Sequence, residues 1–318
     1  MRFASLGHLD FEYRLKEFPT SWVKDNLIIS PEIDFKKTKG YIIALILTAK
    51  QLIEYPKEQI RKKILNASIY ALEKLDVDIV QLGAFTTSVT NGGKWLQKQD
   101  EYEGYVNHGD SYTAAITCQV VEKSLNLLHK DISEQNLAVV GSYGIIGEAV
   151  SKILVPKFSN SILIGRRKNK LLDLGKKIEG NFDTSDKLKT RDSDVIITAT
   201  SHPKALLNSR HLKKNAIVVD VSQPPNLSMN VCNKRPDIFR VDGGYVDLPF
   251  SNPIKIPGIP QGKIFSCIAE VIMQAMENEK EDHVGSIDIS HLKKTEKWAL
   301  KYGFILNDLT NFGKKIRS

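Results

Sequence analysis

The sequence predicts an α/β protein: a parallel sheet with helices on both faces, joined to a second α/β domain on its N-terminal side. Three observations carry this. Residues 133–260 alternate short apolar runs with helical stretches, the pattern of successive strand–helix–strand units. Within them VVGSYGIIG, at 139–147, sets glycines at every third position between an apolar strand and an apolar-periodic helix. Residues 1–132 carry helix and strand segments of their own, in a different order.

Taken along the chain, KEQIRKKILNASIYALEKL (57–75) reads as a helix and DIVQLGAF (78–85) as a buried strand. SYTAAITCQVVEKSLNLL (111–128) reads as a long amphipathic helix leading into the sheet domain. Strands are expected at 137–141, 161–167, 194–200 and 216–222, each bounded by turn residues, with a fifth at 238–245. A helix starting near Gly262 is expected to cross back to the N-terminal half. The expected organisation is a substrate domain at 1–132, completed by the helices of 262–318, and a dinucleotide-binding domain at 133–261, with Cys267 near the floor of a cleft between them.

The 318 residues, 42% of them hydrophobic, are enough for two ordinary domains. The first ten residues include Arg2, His8 and Asp10 and lack the apolar run of a signal peptide, and the longest apolar stretch, YIIALILTA at 41–49, is about half a membrane span. The expectation is therefore a cytoplasmic protein without a transmembrane segment. Three cysteines without zinc-ligand spacing suit reduced thiols. The net charge of +8 comes with basic clusters at 166–170, 176–177 and 313–317, which read as solvated faces; no nucleic-acid motif accompanies them, and no nucleic-acid partner is expected.

In the glycine turn, Gly141 permits the sharp exit from the strand. Gly144 lets the backbone approach a pyrophosphate, and Gly147 lets the new helix pack on the sheet. With Ser142, Tyr143, Ile145 and Ile146 these residues form a candidate Rossmann-like phosphate loop at a helix N-terminus. Their spacing, GxxGxxG, departs from the commoner GxGxxG. The next strand ends in Gly165-Arg166-Arg167, where an NAD site would place a carboxylate for the ribose 2′-hydroxyl. Guanidinium groups there suit a 2′-phosphate, so the expected cofactor is NADPH; the alternative is a solvated basic turn. Thr200 follows the next apolar strand, at the sheet edge that faces a cofactor.

GKIFSCIAE (262–270) poses the remaining question. Ile264, Cys267, Ile268, Val271 and Ala275 share one face at helical spacing, which makes Cys267 a packing residue. A thiol one turn into a helix also lies where the N-terminal dipole lowers its pKa, which makes it a nucleophile. GHL (7–9), KILNA (63–67), LGAF with Thr86 and Thr87, GDSYTA (109–114), VVGSYGIIGEAV (139–150), VDGG (241–244) and FSCIAE (265–270) together resemble the motifs of the fatty aldehyde-forming long-chain acyl-[acyl carrier protein] reductases known from cyanobacteria. The resemblance runs over nearly the whole chain, and the glycine turn and FSCIAE are its specific parts.

That resemblance implies an NADPH-dependent reduction of an acyl thioester, carried on acyl carrier protein or coenzyme A, to an aldehyde, with Cys267 as nucleophile. It also implies an aldehyde-consuming enzyme as a further partner. Thr86, Thr87 and Ser111 are candidate oxyanion donors, and His8 a candidate proton donor. Glu270 either orients the neighbours of the thiol or faces solvent, and Asp110 is either a helix cap or a site residue. Three stretches depart from the family pattern. Tyr112 replaces a histidine, Thr86 and Thr87 replace serines, and VDVSQPPN (219–226) replaces a glycine-rich segment, which implies a different or shorter acyl group. Two other readings stand beside this one: a dehydrogenase of the shikimate dehydrogenase kind, in which Cys267 is a bystander, and a cofactor-binding protein without turnover.

Overall fold

In the computed structural model, which describes residues 1–9, 11–249 and 255–316, the chain forms two compact units. The first comprises Met1–Tyr112 and Val246–Ile305, the second Thr113–Tyr245 and the tail from Leu306. The expected breaks lay at 132/133 and 261/262. Arg317, the end of the basic cluster at 313–317, lies outside the described residues.

The first unit opens with strands β1 (Phe3–Leu9), β2 (Val23–Lys24), β3 (Leu27–Ile29), β4 (Ile33–Asp34) and β5 (Lys39–Thr48), then helices α1 (Ala49–Glu54) and α2 (Lys57–Leu75). Strand β6 (Ile79–Leu82), the short helix α3 (Phe85–Val89) and strand β7 (Tyr105–Asn107) follow. Seven strands form one mixed sheet in the order β2-β3-β5-β1-β6-β7, with β4 also on β5. Alternation sorts its two faces. Ala4, Leu6, Ile43, Leu45, Val80 and Leu82 share a core with Ile60, Ile64, Ala67 and Ala71 of α2. The residues between them include a buried polar pair, with Ser5 Oγ donating to Gln81 Oε1 at 2.6 Å. Gln81 Nε2 in turn donates to the carbonyl of His108 (3.4 Å), so the sheet holds the backbone just beyond β7.

Helix α4 (Asp110–Leu127) carries the chain into the second unit. There β8 (Asn136–Val140), α5 (Ile145–Leu154), β9 (Asn160–Ile164), α6 (Lys168–Gly175), β10 (Phe182–Ser185), β11 (Val195–Thr198), β12 (Ile217–Asp220), α7 (Met229–Lys234) and β13 (Phe239–Asp242) alternate. Six parallel strands lie in the order β10-β9-β8-β11-β12-β13, the doubly wound arrangement whose order reverses between β8 and β11. The α/β class and the Rossmann-like parallel sheet are thus as the sequence predicts, with one strand more: β10 is a short polar edge strand. The apolar run at 238–245 divides after Asp242, and its end becomes β14 (Tyr245–Asp247) of a separate two-stranded sheet.

The partner of β14 is β15 (Lys263–Phe265), which runs into α8 (Ser266–Glu277) and α9 (Ile289–Tyr302). The helix expected from Gly262 therefore begins later, because Lys263–Phe265 pair as a strand. Ile264 lies on that strand, and Cys267 is the second residue of α8 rather than one turn in. Helix α8 packs on β1 and β6, and α9 packs on α8. The tail forms β16 (Thr310–Asn311) and β17 (Lys314–Lys315). It is fixed to β13 by Asp242, which accepts from Thr310 Oγ1, Gly313 N–H and Phe312 N–H. Among the described residues no helix is long and apolar enough to cross a membrane.

Candidate functional site

The chain brings two of its motifs into direct contact in the first unit. Gly109, between β7 and α4, adopts φ +69°, and a Cβ placed there would fall 2.5 Å from Cys267 Cβ and 2.7 Å from Cys267 Cα. Only a residue without a side chain allows this approach. It sets the N-terminal turn of α4 against that of α8, with Cys267 at the junction.

Around it lies a buried polar network whose members are distant in sequence. Glu270, fully buried one turn after Cys267, accepts from the Tyr112 N–H at 2.7 Å. That N–H is in the first turn of α4 and has no partner within its own helix, so Glu270 caps α4 from outside. The other Glu270 oxygen contacts Asn107 Nδ2 (3.2 Å) and His291 Nε2 (3.3 Å). Burial alone would raise the Glu270 pKa, but its bonds and charge interactions with His291, His108 and the Tyr112 N–H outweigh burial and hold it below the usual carboxylate range. His108, also buried, accepts the Asp110 N–H at Nδ1 (2.9 Å), and burial drives its pKa down to about 4. The Asp110 carboxyl moves the opposite way, raised well above the usual range by burial and by the Glu270 charge.

Cys267 corrects one expectation. Its own N–H and that of Ile268 do lower its pKa, as a helix start should, but burial and then the Asp110 and Glu270 carboxylates dominate. The thiol is pushed up to about 12, although its surface is only half-buried. At rest it is a thiol, and a base must take its proton.

The other substrate-side candidates fare unevenly. Thr86 Oγ1 donates to the carbonyls of Gly83 (2.8 Å) and Leu6 (3.2 Å), and Thr87 Oγ1 to that of Leu82 (2.6 Å). A hydroxyl has one proton, so neither threonine has one to spare for an oxyanion. They fix α3 to the sheet. His8, at the end of β1, lies with Nδ1 2.8 Å from the Leu9 carbonyl, which only accepts, while Nε2 accepts the Phe85 N–H at 3.4 Å. Both ring nitrogens are thus engaged with the backbone of the fold. Ser111 is buried in the first turn of α4, next to Asp110. Tyr112 is a core residue whose hydroxyl donates to the Phe304 carbonyl. Cys118 is buried on α4 and Cys232 half-buried on α7.

In the second unit the glycine turn has the expected geometry. Gly141 has φ +86°, and a Cβ there would lie 2.3 Å from the Ala199 carbonyl oxygen; one at Gly147 would lie 2.2 Å from that of Gly141. Gly144 is the N-cap of α5 and is less crowded, with Gly141 O 3.1 Å from its would-be Cβ. Ile145, Ile146 and Gly147 thus begin a helix whose first N–H groups lack intrahelical partners, as a pyrophosphate site requires. Ser142 is buried and donates weakly to the Ile164 carbonyl (3.4 Å).

Tyr143 packs on the bare face of Gly165, accepts the Arg167 N–H at its hydroxyl (3.2 Å) and carries the Arg167 guanidinium 5.2 Å above its ring. Arg166 and Arg167 are both exposed just beyond β9, with no carboxylate at the strand end. These residues fit a nicotinamide dinucleotide. Thr200 bonds Asn226 Oδ1 (2.6 Å), and its N–H donates to Ser222 Oγ (3.1 Å). The VDVSQPPN segment is likewise folded inward on Asp220, which accepts Thr198 Oγ1 and the N–H groups of Asn226 and Leu227 and pairs with Arg240.

Residues 121–243 match the family model described as shikimate / quinate 5-dehydrogenase, which covers the parallel-sheet unit. Among curated proteins, the chain is 28% identical over 230 residues to the long-chain acyl-[acyl-carrier-protein] reductase of Synechococcus elongatus, covering 68% of this chain and 66% of that protein. It is 23% identical to the aminotransferase PigE of a Serratia species, over 93% of this chain and 36% of that one. It is 28% identical to the glutamyl-tRNA reductase of Methanococcus maripaludis, over 41% of this chain and 34% of that one. The chain thus spans between about a third and two thirds of these relatives. Together with the glycine turn, they support a nicotinamide-dependent oxidoreductase. Of the two readings of Glu270 in the sequence, facing solvent is excluded by its full burial; His108 and His291 were not singled out, because no local pattern marks them.

Proposed function

We propose that the protein is an NADPH-dependent reductase that converts an acyl thioester, on acyl carrier protein or coenzyme A, to an aldehyde through an acyl group held on Cys267. The observation that carries this is the contact of Gly109 with Cys267. It sets a half-buried thiol where two helix starts meet, with the N–H groups of Cys267 and Ile268 directed at it and a carboxyl of raised pKa beside it. Two of the relatives are named as reductases of an acyl group borne by a macromolecule.

As Sγ attacks the thioester carbonyl, its proton passes to Asp110, a stronger base than an ordinary carboxylate because its pKa is raised. In this reading N–H groups of the first turn of α8 receive the developing oxyanion, the role expected from the sequence of the Thr86, Thr87 and Ser111 hydroxyls together with nearby backbone N–H groups. Collapse expels the carrier thiolate, which takes the proton from Asp110, and leaves the acyl group on Sγ. The exchange is between near-equal thioesters, so placement is the main demand. Bound NADPH supplies hydride for reduction of that acyl group. The aldehyde then departs, and Cys267 recovers its proton from solvent by way of Asp110. Arg166 and Arg167 hold the 2′-phosphate in this reading, and the α5 N-terminus the pyrophosphate.

A panel of acyl thioesters, with NADPH oxidation and aldehyde trapping read together, tests the reading. Equal yields of oxidised cofactor and aldehyde are expected with at least one thioester. Cofactor oxidation with hydroxy or keto acids instead, surviving Cys267→Ser, would move the protein to the dehydrogenase reading.

A further inference from the structure

Beyond Cys267 and Asp110, the first unit contains a second cluster that the reaction does not use. Glu279, His283 and His291 offer ligand atoms that all lie within 4.8 Å of one another. Three differently anchored pieces of backbone present them. Glu279 follows the left-handed Asn278 that ends α8, with its N–H on the Gln274 carbonyl (3.2 Å) and its own carbonyl accepting Gln274 Nε2 (3.1 Å). His283 is clamped beside β7, its N–H on the Val106 carbonyl (2.8 Å) and its carbonyl on the His108 N–H (3.0 Å). His291 stands in the first turn of α9.

The polar atoms of this cluster are left over. The Glu279 side chain is only 9% exposed. Its Oε1 pairs with Lys294, while Oε2 is buried and without a hydrogen-bond partner among the described residues. His283 Nε2 is likewise buried and without a hydrogen-bond partner there; its nearest charge is Glu279 Oε1, at 3.9 Å. The two imidazole rings stack with centroids 3.4 Å apart, which brings their edges together without any bond between them. One nitrogen of His291 is engaged by Glu270 at 3.3 Å, the carboxylate support that metal-ligating histidines commonly have, and the other ring nitrogen is left as an acceptor. A buried carboxylate oxygen and imidazole nitrogen with no protein partner are costly unless something else satisfies them.

We infer that Glu279, His283 and His291 bind a divalent transition-metal ion of the zinc class, which clasps the segment between α8 and α9. Two imidazoles and one carboxylate suit zinc or its neighbours rather than magnesium or calcium, which take oxygen ligands. Zinc bonds of about 2.0–2.2 Å require ligand atoms roughly 3.3 Å apart, so ligands that lie within 4.8 Å of one another close by at most about 1.5 Å around the ion. Lys294, half-exposed, keeps its hold on Oε1 while Oε2 binds.

The test is a titration of chelator-treated protein with Zn²⁺ in competition with a chromophoric chelator. One zinc per chain is expected, bound at least tenfold more weakly by each of Glu279→Gln, His283→Ala and His291→Ala and not at all by the triple variant. At a fixed zinc concentration the melting temperature of the unmodified protein should rise, and that of Glu279→Gln should rise by less. This second readout, with the circular dichroism of His283→Ala, separates loss of a ligand from loss of the fold. Cys267→Ser should bind zinc as the unmodified protein does. Failure to outcompete the chelator, unchanged affinity in the three single variants, or loss of zinc on Cys267→Ser would each overturn the assignment.

Discussion

Asp110→Asn should separate the resting reactivity of Cys267 from its catalytic use. With its pKa pushed up to about 12, the thiol is ionised to about one part in ten thousand at pH 8, whereas an unperturbed cysteine is roughly a quarter ionised there. Alkylation of Cys267 by iodoacetamide in the unliganded protein should therefore be about three orders of magnitude slower than for a free thiol at pH 8. It should climb about tenfold per pH unit from pH 7 to 10 without a plateau, because the titration lies above that window. Asp110 is the second cause of the raised pKa after burial, so removing its charge lowers the pKa and speeds alkylation at the alkaline end. The same change removes the base that accepts the thiol proton, so thioester turnover should fall by about 10²-fold or more. Peptide-resolved mass spectrometry follows the first quantity and NADPH oxidation the second. A wild-type plateau near pH 8.5, or a variant in which both rates move the same way, would refute the reasoning.

Other consequences follow from single contacts. Gly109→Ala puts a Cβ 2.5 Å from Cys267 Cβ at a left-handed backbone position, and should cost about 2 kcal/mol or more in denaturant unfolding while lowering turnover. Replacing Arg166 and Arg167 by alanine should weaken NADPH binding roughly tenfold to hundredfold, the equivalent of about 1.5–3 kcal/mol, and leave NADH binding nearly unchanged in a fluorescence titration. Arg240→Ala leaves Asp220 buried without its cation and should destabilise the second unit by about 3–5 kcal/mol; a melting temperature within a degree or two of the original would contradict that.

What could be read from the sequence was local. The turn at 139–147 is legible because its glycines are demanded by contacts a few residues away, such as Gly147 on the Gly141 carbonyl. The helix expected at 57–75 is α2 residue for residue, since Ile60, Ile64, Ala67 and Ala71 repeat on its buried face. Strand β10 escaped because FDTS is polar and lies at an edge. Most of the first sheet escaped because β1 mixes Ser5, Gly7 and His8 with apolar residues, and β5 reads simply as an apolar run. The start of α8 was misplaced because the pairing of β15 with β14 is a tertiary event that helical periodicity does not register. The site was half legible. Cys267 stood out by motif, but the rise of its pKa comes from burial and then from Asp110, which lies 157 positions away in the numbering. The cap of α4 likewise joins Glu270 to Tyr112 across 158 positions, and no spacing rule connects such residues.

The central claim is that Cys267 carries the acyl group. Protein incubated with an acyl thioester in the absence of NADPH, then digested and mapped by mass spectrometry, should carry the acyl mass on the peptide containing Cys267 and lose it as aldehyde when NADPH is added. The Cys267→Ser variant should remain unlabelled while still folding and binding cofactor. A label on Cys118 or Cys232, or aldehyde formed by the serine variant at the original rate, would return Cys267 to a packing role and contradict the account.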